Sequence, residues 1–150
     1  MKTRDVEFQK ILVPVSGSEA DDEAMRLACR LAKPRKAKVY SVYVVEIKRS
    51  LPLNAEIAPE IQKAEAILDH IESVAEEQDY QVDTDILQAR EVGPAIVDEA
   101  KERGIDLILM GVKYKRRFGQ FSLGNTVLYV LKNAPCRVIL YQQYSAEQVK

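Results

Sequence analysis

The stretch "MGVKYKRRFGQFSLGNTVLYVL" (110–131) decides how the chain is read. It begins inside the apolar run "IDLILMG" (105–111), and two of its glycines, Gly111 and Gly124, bracket a loop. Between them lie four cations in five positions, 113–117, and a helix is predicted over 123–133. A strand, a basic loop and a helix start in that order make either a phosphate cradle or a plain surface connection. The rest of the chain bears on that choice.

Working outward, β and α patterns alternate. "KILVPV" (10–15) is a short continuous apolar run. Residues 18–33 place Ala20, Ala24, Leu27, Ala28 and Leu31 on one helical face, with Ser18 and acids at the start. "KVYSVYVV" (38–45) predicts a strand, 46–58 a loop, 59–79 a helix and "QVDTDILQA" (81–89) a strand. "GPAIVDEAKERG" (93–104) has Pro94 near a helix start and Gly104 past its end. "CRVILYQQ" (136–143) is the last strand. Five strands and four helices in alternation predict an α/β domain, an open parallel sheet with helices on both faces. The runs at 10–15 and 105–110 are the most apolar and belong in the middle. The strand with Asp83, Asp85 and Gln88 suits an edge. Pro14 lacks an N–H and is placed at the exit of the first strand. Ligands in such sheets bind beyond the carboxyl ends of the central strands, here "VSGSE" (15–19) and the 110–131 stretch.

At 150 residues, 47% hydrophobic and 30% charged, the chain is expected to be one domain over 1–150, with a lead at 1–9 and a tail at 144–150. No apolar run reaches the roughly 18 residues of a membrane span, and no signal peptide is visible, so a cytoplasmic protein is expected. Cys29 and Cys136 lack a C-x-x-C spacing and read as buried thiols of a reducing compartment. His70 stands among charges without metal-ligand partners and reads as a solvated helix position. The net charge of -1 is unevenly spread. Residues 56–106 hold fifteen Asp and Glu against four Lys and Arg, whereas 107–146 hold six Lys and Arg and no acid. The mean charge argues against nucleic acid, and the asymmetry favours a bound anion in the last third.

The segments "KILVPVSGSEADDEAMRLACRLA" and "GPAIVDEAKERGIDLILMG…GNTVLYVLKNAPCRVIL" resemble the universal stress protein family over essentially the whole chain. The resemblance implies a Rossmann-like fold of the adenine nucleotide alpha hydrolase type, with strand order 3-2-1-4-5. It also implies dimers joined through the last strand, and roles as regulatory domains, some on transporters. Many members bind ATP, AMP or another adenine nucleotide through G-x2-G-x9-G-(S/T), Mg²⁺ accompanying only ATP. Laid on this chain, Gly111 is the first glycine, Tyr114 stands at the second, Gly124 at the third, and Asn125 at the hydroxyl position with Thr126 behind it. Ser16 stands where nucleotide-binding members usually carry Asp, and Val44 takes the position that walls the adenine.

The expected nucleotide-binding set is therefore Val15, Ser16, Gly17, Val44, Gly111, Val112, Lys113, Tyr114, Gly124, Asn125 and Thr126. Independently of the family, a helix N-terminus offers free N–H groups and a positive dipole end to a phosphate, and glycine lets it approach. Asn125 is expected to cap that helix. Lys113, Lys115, Arg116 and Arg117 add charge. Two readings of Tyr114 stand: its ring blocks the phosphate path, or it swings out and stacks on a base. No catalytic constellation and no metal site are visible, and Asp106, the nearest carboxylate, belongs to the far end of its strand. A regulatory binding protein with at most slow ATP hydrolysis is expected. The alternative is a dimeric interaction domain without nucleotide, acting on a partner such as a transporter.

Overall fold

The computed structural model describes residues 7–113, 115–117, 120–122 and 124–143. Within them β1 (Lys10–Val15), β2 (Lys38–Glu46), β3 (Asp83–Ala89), β4 (Leu107–Val112) and β7 (Arg137–Gln142) form one parallel sheet, ordered β3-β2-β1-β4-β7. This is the predicted 3-2-1-4-5 order once the strands of the main sheet are counted alone. Four helices connect them: α1 (Glu19–Ala32), α2 (Ala58–Glu77), α3 (Val92–Arg103) and α4 (Asn125–Asn133). The basic loop differs from expectation. Two short strands, β5 (Lys115–Arg117) and β6 (Gln120–Ser122), pair antiparallel there.

Alternation along the central strands divides the core in two. Ile11, Val13, Leu107 and Leu109 face α1 and α2, packing on Ala24, Ala28, Leu68 and Ile71. Leu12, Val42, Val44, Ile108 and Met110 face α3 and α4, packing on Ile96, Val97, Val127 and Val130. Both faces are covered, which is why β1 and β4 read as unbroken apolar runs. β3 at the edge shows the half-exposed alternation that Asp83 and Asp85 foretold.

β1 stays in register with β2 for six residues, from Lys10↔Lys38 to Val15↔Tyr43. With β4 it holds only Ile11↔Leu107 and Leu12↔Ile108. Pro14 lies beyond that short ladder and has no N–H to extend one. The two central strands therefore part toward their carboxyl ends, and the switch-point crevice opens between them.

The remaining expectations meet mixed outcomes. Cys29 is buried, whereas Cys136 is only half-buried; both are free thiols. His70 is exposed on α2, and its Nε2 pairs with Asp22 Oδ2 of α1 at 2.9 Å. Asp106 lies at the amino end of the sheet, where it accepts the N–H groups of Gln9 and Lys10 at 2.8 and 3.1 Å. Among the described residues no helix is long and apolar enough to cross a membrane.

Candidate functional site: the crevice between β1 and β4

Two walls of the crevice can be built residue by residue. The first is the β1–α1 turn. Val15 is buried at the tip of β1, and Ser16 and Gly17 are exposed beyond it. Gly17 takes φ +95°, a conformation that favours glycine, and a Cβ there would lie 2.9 Å from Ile67 Cδ1. Ser18 is the N-cap residue of α1, as the sequence predicts. Its N–H donates to Asp21 Oδ2 at 3.0 Å, half of a capping box. The Ser16 and Gly17 N–H groups donate to the same oxygen at 3.1 and 2.7 Å. Burial pushes the Asp21 carboxyl above its ordinary 3.8, while the three N–H bonds pull it down.

The second wall follows β4. Gly111 is inside the strand, paired with Tyr141, rather than in the loop after it. A Cβ on Gly111 would lie 2.1 Å from the carbonyl oxygen of Ala20. Its first duty is therefore to let β4 pass close to the start of α1. Val112 is buried at the strand end, and Lys113 is exposed. Tyr114, on which the two sequence readings divided, lies outside the described residues.

At the start of α4 the cap residue is Gly124, with φ +84° and ψ 161°, and Asn125 is the first helical residue. The expected Asn125 cap is thus corrected: the N-cap position has no side chain to accept the first N–H groups. Helix N-termini leave such donors without intrahelical partners. Gly124 and Asn125 are exposed and Thr126 is half-buried. Among the described residues, no atom lies within 4 Å of where a Gly124 Cβ would sit, and no side chain caps the start of this helix.

Val44, expected to wall the base, is buried in β2 opposite Leu87 of β3. Its side chain packs on the α3/α4 face with Met110 and Val112. The structure thus brings Val44, Met110 and Val112 into one apolar layer, while Val15 belongs to the α1/α2 layer.

Sequence reasoning missed two residues here. Asp21 could be guessed only as a helix-start acid; nothing local announced its bonds back to Ser16 and Gly17. Gln143 extends β7, donating its N–H to Val112 O at 2.9 Å and its side-chain amide to Glu19 of α1 at 3.1 Å. No signal in the sequence paired it with Glu19. Among the described residues, a cavity of about 310 Å³ lies between α1 and α2, lined by Gly17, Ser18, Ile67 and His70, and another of about 440 Å³ lies away from the crevice, between β3 and α3. Among the described residues, no group of three or more His, Cys, Asp or Glu is placed to hold a metal ion.

The profile of the universal stress protein family matches residues 7–142. The chain belongs to the universal stress protein family. Universal stress protein MJ0531 of Methanocaldococcus jannaschii is 30% identical over 146 residues, covering 93% of this chain and 85% of that protein. Among solved structures, the universal stress protein from Archaeoglobus fulgidus in complex with dAMP superposes with a TM-score of 0.72 at 20% identity, covering 90% of this chain and 98% of that one. A universal stress protein in complex with cAMP gives 0.67 at 19% identity, covering 91% and 98%. These structural likenesses establish the universal stress fold for this chain.

Proposed function

We propose that this universal stress protein is a regulatory binding module whose β1/β4 crevice holds an adenine nucleotide or a related phosphate ligand. The observation that carries this reading is the uncapped start of α4. Gly124 caps an apolar helix on the carboxyl side of the sheet without a side chain to accept its first N–H groups, and among the described residues nothing lies within 4 Å of its Cβ position. A phosphate there gains the helix-terminal donors, worth about 0.3–1 kcal/mol when exposed and up to ~2 when partly buried. Val44, Met110 and Val112 supply the apolar layer nearest the tips of β2 and β4. That relatives of the same fold are known in complex with dAMP and cAMP supports an adenine monophosphate as the first ligand to try. Occupancy, not turnover, is the proposed output, with hydrolysis of ATP at most slow. Mg²⁺ enters only if ATP is the ligand. The two free thiols fit a reducing, cytoplasmic setting.

The test is calorimetric titration of the purified protein with AMP, cAMP and ATP, repeated on Gly124→Val. Saturable binding in the micromolar range, weakened by the valine, supports the reading; no heat with any of the three rejects it.

A second reading, a dimeric interaction domain, is favoured by the surface beside the crevice. β7 is an edge of the sheet, and Tyr141 on it is 39% exposed, as are Leu128 at 54% and Leu131 at 45% on α4. An edge strand flanked by exposed apolar side chains invites a second copy. We propose a homodimer through 136–143, able to report ligand occupancy to a partner such as a transporter domain. Light scattering that returns a monomer at micromolar protein would count against it.

A further inference from the structure

Asp21 is a charged residue with 3% of its surface exposed, an unusual state for a carboxylate. Its Oδ2 gathers three consecutive backbone N–H groups, those of Ser16, Gly17 and Ser18, at 3.1, 2.7 and 3.0 Å. Converging amides of this kind form an anion-binding concavity. Here the chain fills it with its own carboxylate. A helix cap needs only the Ser18 bond. The other two reach back past the cap to the tip of β1, where the backbone turns through the positive φ of Gly17. Ile67 of α2 lies where a side chain on Gly17 would go. The carboxylates beside Asp21 have other partners: Glu19 accepts the Gln143 amide, and Asp22 pairs with His70. Burying the Asp21 charge works against the fold: desolvation, with the nearby Asp22 charge, leaves the carboxyl raised despite the three N–H bonds. A buried charge is weak evidence of a gain in stability and is often kept for another role.

We infer that Asp21 is the positioning residue of the crevice: by drawing in the N–H groups of 16–18, it sets the path of the β1–α1 turn and so the placement of Val15 and Ser16 against the ligand. This rests on the nucleotide reading above and deepens it. Because those amides face Asp21, the turn presents the ligand with the Ser16 hydroxyl and the backbone of Val15. The phosphate is left to the start of α4.

The experiment compares wild type, Asp21→Asn and Asp21→Leu with Asp22→Asn as control. AMP and cAMP affinities are measured beside melting temperature and the amide NMR spectrum. Asparagine keeps the side chain's size and drops its charge. The expected result is an affinity about tenfold weaker in Asp21→Asn, the size of one lost charge-assisted bond. Its melting temperature should be retained, with the Ser16, Gly17 and Ser18 amides displaced. Asp21→Leu should lose at least as much affinity, and Asp22→Asn should bind as wild type. Tight binding by Asp21→Asn, or an affinity loss matched by a fall in melting temperature, overturns the inference while leaving the nucleotide reading intact. Failure of Asp21→Asn to fold overturns it too, by making Asp21 a determinant of stability. If wild type binds neither nucleotide, the nucleotide reading falls and this inference with it.

Discussion

Replacing Gly111 with alanine puts a methyl group where there is no room for one. Its Cβ would lie 2.1 Å from the Ala20 oxygen, 2.6 Å from the Ala20 carbonyl carbon and 3.2 Å from the Ala20 Cβ. The first two obstacles are backbone, so no side-chain rotation relieves them. Reaching even 3.0 Å requires β4 and the start of α1 to part by about 1 Å, a distance that close-packed interiors resist. The parting would open the seam where Ala20, Ala24 and Ala28, all buried, bring the helix tightly onto the sheet. Overpacking by one methylene costs about 1–3 kcal/mol and more where backbone is the obstacle, so about 3 kcal/mol is expected. For a chain of this size that is a fall of about 6–12 °C in melting temperature. Thermal and urea unfolding without any nucleotide measure it. The double variant Gly111→Ala with Ala20→Gly should show no rescue, because the clash is with main-chain atoms. A melting temperature within a degree of wild type, or full rescue by the second substitution, would refute the reasoning.

Gly124→Ala should behave differently: its Cβ meets none of the described residues, and the backbone is strained by about 1–3 kcal/mol locally. Nucleotide affinity should therefore fall more than stability does, as paired calorimetry and unfolding would show. Arg90→Ala removes a guanidinium that donates to the carbonyls of Ile47, Lys48 and Leu51. Limited proteolysis should then cut within 47–57 well before the rest of the chain. The pH dependence of stability should carry the mark of Asp21. Its folded carboxyl is raised above 3.8, so the folded chain holds that proton more tightly than the unfolded chain does. Its contribution to stability is fully present below 3.8 and is lost as pH rises through the raised value. Asp21→Asn should flatten that slope in urea midpoints taken between pH 3.5 and 7. Breaking the exposed His70–Asp22 pair with His70→Ala should change stability by less than about 1 kcal/mol.

The order of the sheet was readable because burial leaves a chemical trace. β1 and β4 are covered on both faces and therefore lack polar alternation, while Asp83 and Asp85 mark β3 as an edge. Ser18 announced the start of α1 through its own side-chain chemistry. The β5/β6 hairpin left no such trace, since "KRR" and "QFS" are too short for either period to register. Assigning Gly111 from sequence alone linked it to a ligand or a turn, because the helix that demands its missing side chain arrives from the far end of the chain. Asp21 was partly visible: an acid three residues after the cap is a local signal, but its reach to Ser16 and Gly17 depends on how the turn folds back. Asn125 was misplaced by one position as a cap. A glycine with φ +84° can end the preceding segment as well as a polar residue can, and composition does not distinguish the two.

The most direct measurement is an NMR titration of labelled protein with AMP, following the backbone amides. Saturable displacement of Asn125, Thr126 and Val127, with Ser16 moving in the same transition, is the predicted result. Unmoved amides at millimolar AMP, or displacements confined to the α1/α2 cavity around His70, would contradict the placement of a phosphate at the start of α4.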